Sequence, residues 1–256
     1  MDFDQDLGEL QRKVSQTQEG IGRRKIVFES LAVESGQSIL DLGCGGGYQA
    51  RSLALAVGSE GRVVGVDPSQ KQLEVAREYC SDLDNVEFTQ DSGNDLSFDK
   101  ETFDSATSTN VLDYIDDIDS VVAELRRVLR KGGRLCTISI LWDHHRFHGA
   151  DPALNGAILD VFRDHCPHQM LPLELPKFLS NNGFSGINSM PIPILNMTMH
   201  GNAFSRWTSK TIAAFAIMNG MPEDDVALWL RQLEEADRDG HFGFVSMSVL
   251  TTGTAI

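Results

Sequence analysis

Ile39-Leu-Asp-Leu-Gly-Cys-Gly-Gly-Gly47 is the stretch that decides the fold. A short apolar run leads into three alternate glycines, Gly43, Gly45 and Gly47. The chain then continues as Tyr48–Val57, whose apolar residues fall at helical spacing. Alternate glycines at the end of a strand let the backbone turn tightly and approach a ligand closely. The helix start behind them offers unpaired N–H groups and the positive end of a dipole. The next apolar run, Arg62–Val66, ends on Asp67, an acid placed to accept the hydroxyls of a ribose.

A glycine loop followed by such an acid also fits a nicotinamide enzyme, so details of the loop matter. The dinucleotide fingerprint needs a third glycine where this chain has Tyr48. Bulk there hinders the close helix–strand packing of a pyrophosphate site. Asp41, two residues before the first glycine, points elsewhere: it can hold the ammonium of an amino-acid moiety, which a dinucleotide lacks.

Outward from this stretch, strands and helices alternate. Strands are expected at 37–42, 62–66, 86–89, 103–108 and 134–140, with helices over 48–57, 69–80 and 118–129 between them. The last helix has Val121, Val122, Leu125, Val128 and Leu129 at helical spacing and stops at Lys131-Gly132-Gly133. This rhythm predicts a doubly wound α/β sheet, with ligands at the carboxyl ends of its strands. Upstream, 23–33 reads as a helix, and the first twenty residues are polar with weak periodicity. Downstream, helices are expected at 154–162, 175–179, 208–218 and 223–236. Strands are expected at 187–194 and 242–250, the former at an edge because it carries Pro191 and Pro193. The roughly 45 residues between these late strands are too many for a hairpin loop and read as a helical insertion over the active site.

Five blocks of the sequence, taken in order, resemble the class I S-adenosylmethionine-dependent methyltransferases. They are Leu40-Asp41-Leu-Gly43-Cys-Gly45-Gly-Gly47, Val64-Gly-Val-Asp67-Pro-Ser, Val86-Glu-Phe-Thr-Gln90-Asp91-Ser92, Phe103-Asp104-Ser-Ala with Thr109-Asn110-Val111-Leu112, and Leu125-Arg-Arg-Val-Leu129-Arg-Lys-Gly132-Gly133. The resemblance runs from about residue 23 to 140 and is nearest the quinone-type and related small-molecule methyltransferases. It implies a Rossmann-like sheet of seven strands, the last antiparallel, with a helical lid. It also implies S-adenosylmethionine as cofactor and S-adenosylhomocysteine as product. The resemblance assigns Asp41, Gly43, Cys44, Gly45 and Gly47 to the methionine part and ribose. Asp67 would take the ribose hydroxyls with Pro68 and Gln72 nearby. Asp91 would accept from the adenine amino group with Ser92 beside the ring. Asn110 and Val111 would lie beneath the methionine arm.

The implied organisation is an N-terminal segment over 1–22 that covers the cofactor, a cofactor-binding core over 23–140, and a substrate-recognition region over 141–256 with its insertion at about 196–240. Where the acceptor needs a general base, histidine is the usual group. His144 and His145, just past the fifth strand, are the candidates. Trp142, Phe147, Phe204, Trp207, Met197, Met199 and Met218 are candidates for an apolar substrate pocket.

Composition narrows the remaining classes. Hydrophobic residues make up 41% and charged residues 23%, as in globular chains. Acidic residues outnumber basic ones 37 to 22, a net charge of −15, which disfavours a nucleic-acid partner. Cys44, Cys80, Cys136 and Cys166 are scattered without a Cys-x-x-Cys pair, so neither a zinc site nor a disulfide framework is expected, and thiolate chemistry ranks low. His144, His145 and His148 with Asp143 do not read as a metal set. No apolar run approaches the roughly 20 residues of a membrane span, and the acidic start does not read as a leader, so the expected location is cytoplasmic. The expected partner is a small methyl acceptor, with the chain a monomer or homodimer. Beside methyl transfer stand two alternatives, a nicotinamide-dependent oxidoreductase and a cofactor-binding module without transfer.

Overall fold

The computed structural model describes residues 6–256; the acidic start and the first five residues of the N-terminal segment lie outside the described residues. Its centre is a twisted sheet. Strands β1 (Ser38–Leu42), β2 (Arg62–Asp67), β3 (Val86–Gln90), β4 (Phe103–Thr109) and β5 (Leu129–Ile140) lie in the order β3-β2-β1-β4-β5, all parallel. Helices α3 (Tyr48–Val57), α4 (Gln70–Tyr79) and α5 (Ile118–Val128) make the crossovers. The strands are apolar almost throughout because both faces of the sheet are covered. Leu40, Leu42, Val64, Val66 and Ala106 pack under α5 on one face. Ile39, Val63, Cys136 and Ile138 pack under α2 (Gln18–Leu31) and α3 on the other.

The late strands complete the sheet. β8 (Gly243–Ala255) runs antiparallel to β5, and β7 (Phe184–Asn196) runs antiparallel to β8. Because β7 occupies one side of β8 from Phe244 to Ala255, the three-residue β6 (Arg146–His148) must lie on the other, in line with β5. The sheet thus has seven strand positions, and β8 alone runs against the rest. Pro191 and Pro193 sit in the edge strand β7 opposite Val249 and Met247. Lacking N–H groups, they blunt the open side of that edge.

Several boundaries differ from the sequence reading. The Lys131-Gly132-Gly133 stop does not separate helix from strand. β5 pairs with β4 from Leu129 onward, and the register shifts between Phe103 and Ser105 as Arg130–Gly133 bulge out, with Gly132 at φ 81°. The polar N-terminal stretch contains a helix, α1 (Asp6–Ser15), which buries Leu7 and Val14. α2 begins at Gln18, not residue 23, because the Thr17 hydroxyl caps it, accepting from the Gly20 N–H at 3.1 Å.

The C-terminal helices α6 (Pro152–Phe162), α7 (Leu171–Asn181), α8 (Phe204–Met218) and α9 (Glu223–Arg238) complete the chain. α7 packs beside α5. α6, α8 and α9 form a separate core around Trp229, Phe147, Phe242 and Phe244. Trp229 is fully buried, and its indole N–H donates to Asn155 Oδ1 at 2.9 Å. Trp229→Ala should lower unfolding free energy by about 3–5 kcal/mol, the usual cost of emptying a large aromatic site. Urea denaturation measures it, and a loss below about 1 kcal/mol would contradict this packing.

Candidate cofactor cleft

A cleft of about 540 Å³ opens at the carboxyl ends of β1, β2 and β4. That is the size range of small-molecule sites. Its floor is the glycine loop. Gly43 has φ 71°, and a Cβ there would stand 2.1 Å from Val111 Cγ2, so a side chain fits neither the backbone nor the space. Gly45 has φ 49° and nothing within 4 Å of where its Cβ would be, so its backbone faces open cleft. Gly47, at φ 79°, starts α3 and packs on Ala76 instead of lining the cleft.

Asp67 holds the loop in place. One carboxylate oxygen accepts from the Gly45 N–H at 2.9 Å and the other from the Ser69 N–H at 2.9 Å. Asp41 is 2% exposed, and its Oδ2 has no hydrogen-bond partner among the described residues. Burial, then the charge of Asp67, pushes its pKa up to about 8, against the Ala50 N–H. A buried acid lining a cleft with an orphaned oxygen suits a cationic ligand group, whose charge would favour the ionised form. The neighbouring Cys44 thiol is pushed well up by burial and by Asp41 and Asp67, so it is not a thiolate.

Of the other residues assigned by resemblance, Pro68, Gln72, Asp91, Ser92, Asn110 and Val111 all line the cleft. Asp91 also builds its own turn. Burial raises its pKa, but bonds from the Ser97 N–H and hydroxyl and the Ser92 N–H outweigh that and hold it below the ordinary value. Asn110 sits at φ 55°, a left-handed conformation that asparagine tolerates better than most residues. These features fit S-adenosylmethionine: an acid for the ammonium, an acid for the ribose, and a bare glycine turn between them.

Among the cleft residues that the sequence does not single out are Arg12, Arg23, Arg24 and Gln49. Arg12 comes from α1, and its Nη1 donates to Gln72 Oε1 at 3.4 Å. The consecutive Arg23-Arg24 pair was the available signal, but the helix reading did not give its direction. Tyr48 also lines the cleft, and its hydroxyl accepts from Gln16 Nε2 at 2.5 Å.

The structure does not bring the two candidate histidines to the cleft. His144 is exposed at the end of a one-turn helix, Trp142–His144. His145 is 3% exposed among Trp142, Phe147 and Phe244, with ring centroids 5.4, 6.3 and 4.8 Å away. Both its ring nitrogens lack partners among the described residues, and burial, then His165, pushes its pKa down to about 3. The expected base role therefore has no support in this geometry, because aromatic packing from β8 turns the ring inward. Asp143 pairs with Arg163. The pocket candidates Phe147, Met199 and Phe204 are core residues, and no residue of the 196–240 insertion lines the cleft. α8 meets the cleft indirectly, through Phe204 beneath Arg23.

Comparison with known proteins follows the same outline. A model of the methyltransferase domain family matches residues 40–137. An uncharacterized 37.1 kDa protein of a Streptomyces fradiae transposon is 38% identical over 120 residues, 47% of this chain and 35% of that protein. A demethylmenaquinone methyltransferase of Staphylococcus epidermidis is 36% identical over 110 residues, 43% of this chain and 46% of that one. The chain thus spans less than half the length of these curated relatives. In fold it is similar to a geranyl diphosphate C-methyltransferase from Streptomyces coelicolor, solved with S-adenosylhomocysteine. That likeness has a TM-score of 0.57 at 19% identity, over 93% of this chain and 79% of that one.

The Asp41 geometry predicts a pH effect. Unfolded, its carboxyl ionises near 3.8; folded, it keeps its proton to about 8. The folded chain binds the extra proton between these values, so stability falls as pH rises through that window. Asp41→Asn removes this titration. In urea denaturation the variant should gain on the wild type between pH 4 and 8 by at least about 1.4 kcal/mol, the equivalent of one unit. Parallel pH profiles would contradict it.

Proposed function

We propose that this chain, whose residues 40–137 match the methyltransferase domain family, is a class I S-adenosylmethionine-dependent methyltransferase that transfers the cofactor's methyl group to a small, apolar or aromatic acceptor. The carrying observation is the pairing, in one cleft, of the orphaned Asp41 carboxyl with the Asp67-bound glycine turn. When bound, the cofactor supplies an electrophilic methyl group on a sulfonium.

The chain's own residues bind and orient. Asp41 takes the ammonium and gives up its proton as it does so, since a neighbouring cation favours the charged form. Asp67 accepts the ribose hydroxyls while keeping its bonds to the Gly45 and Ser69 N–H groups. The Asp91–Ser92 turn flanks the adenine end. Asn110 and Val111 close the methionine end against Gly43. Val14, Tyr114 and Ile115 line the cleft with apolar or aromatic surface, which supports an acceptor of that character and keeps water from the transfer. Alignment is the main demand of the reaction, which accords with a cleft whose lining contains no histidine. The relative named as acting on demethylmenaquinone supports the same acceptor class. The nicotinamide alternative is not favoured: Tyr48 occupies the place of the third glycine and lines the cleft.

Incubation with methyl-deuterated S-adenosylmethionine and a panel of quinols, phenols and prenylated compounds should yield a labelled small molecule by mass spectrometry. Asp67→Ala should weaken S-adenosylhomocysteine binding by about 1.5–3 kcal/mol for each lost charged hydrogen bond. Cofactor binding with no labelled small molecule would contradict the transfer. Unchanged affinity in the variant would remove Asp67 from the site.

A further inference from the structure

A second cavity, of about 380 Å³, is lined by the short strand β6 and by α6. It falls within the size range of small-molecule sites. No described residue lines both it and the cofactor cleft. A layer of rings stands between them. Tyr114 lines the cleft, and its ring centroid is 5.7 Å from that of His165. His165 stacks on Phe162 at 4.0 Å and meets Trp142 edge-on at 4.3 Å. Phe162 and Trp142 are walls of the second cavity.

Most polar groups around this cavity are already engaged. Arg163 pairs with Asp143 and, at 3.8 Å, with Asp160. Arg146 donates to the His145 carbonyl at 2.8 Å. Asn155 accepts from the Trp229 indole at 2.9 Å and donates to the Phe147 carbonyl at 3.2 Å. Trp142 Nε1 forms no close hydrogen bond, but it favours the ionised form of Asp113, which does not line this cavity. The His145 ring has no such engagement. It is buried, it lines the cavity, and neither of its nitrogens has a partner among the described residues. Proteins rarely leave a buried polar group so. Burial keeps the imidazole neutral at physiological pH, so it presents one N–H donor, one bare nitrogen and no charge. The walls beside it, Trp142, Phe147 and Phe162, are flat faces on which another ring can pack.

We propose that this cavity is a second small-molecule site, which takes a neutral hydroxylated aromatic and binds its hydroxyl through the unpaired His145 ring. The bare imidazole nitrogen accepts a hydrogen bond from the hydroxyl, and the ligand ring packs among the aromatic walls. A charged ligand would find no free counterion beside His145. The ring layer sets the site apart from the cleft, so its occupancy requires no cofactor and stands independently of the methyl-transfer reading.

The test is a fluorine NMR titration of the full chain with 4-fluorophenol and with 4-fluoroanisole, which keeps the ring and the oxygen but has no hydroxyl proton. Two variants locate the binding. His145→Phe keeps a flat ring and removes the nitrogens. Gly156→Leu places a side chain at the cavity: Gly156 lines it from within α6, and nothing lies within 4 Å of where its Cβ would stand. Leucine is also the better helix former, so this variant keeps the fold. The wild type should bind 4-fluorophenol roughly tenfold or more tightly than 4-fluoroanisole, the scale of one hydrogen bond. His145→Phe should bind the two alike, and Gly156→Leu should weaken 4-fluorophenol by about tenfold or more. Saturating S-adenosylhomocysteine should leave this binding unchanged. Phenol that also enters the cleft adds a second phase that neither variant alters. Equal binding of phenol and ether by the wild type overturns the proposal. So does phenol binding that Gly156→Leu leaves intact or that S-adenosylhomocysteine abolishes, since it belongs to the cleft. No binding at all means that water alone serves His145, and overturns it too. Should His145→Phe fail to fold, Gly156→Leu and the comparison of phenol with ether decide the matter.

Discussion

Asp67 reaches back from the end of β2 to the Gly45 N–H at 2.9 Å, and the rest of the site depends on that bond. It joins the carboxyl ends of two parallel strands through a loop with almost no side chains. Gly43 and Gly45 hold positive φ angles there, and Val111 from the end of β4 occupies the space where a Gly43 side chain would lie. Three strand ends are thereby fixed against one another around exposed backbone. The sheet core beneath them, Leu40, Val64 and Ala106 on one face and Ile39 and Val63 on the other, keeps that arrangement rigid.

Electrostatics give the cleft its character. The chain carries −15 overall, yet its cleft is lined by a buried arginine, Arg23, as well as by a carboxyl, Asp41, that burial keeps protonated. Both groups are costly where they stand. Arg12 and Arg24 bring further positive charge from the N-terminal helices, so α1 and α2 shape the cleft as much as the sheet does.

What was legible in the sequence follows from where each constraint acts. The Ile39–Gly47 motif writes its backbone demands directly into residue types, so the loop, Asp41 and Asp67 were readable. The strands were readable because burial on both faces makes them apolar runs. α1 was not, because Leu7 and Val14 are a sparse stripe whose partner, α8, lies almost two hundred residues away. His145 was placed at the correct end of the sheet, but its direction is set by Phe244 on β8. Sequence position gives a side chain's neighbourhood along the strand; long-range packing decides what it faces. Arg23 illustrates the same limit from the other side, since a charged helix residue reads as solvated until its neighbours are known.

Calorimetric titration with S-adenosylhomocysteine and, separately, with NADH tests the central claim most directly. The Asp41, Gly43 and Asp67 geometry predicts micromolar binding of the first and none of the second. NADH binding without S-adenosylhomocysteine binding would contradict it, and would mean that the glycine turn serves a dinucleotide despite Tyr48.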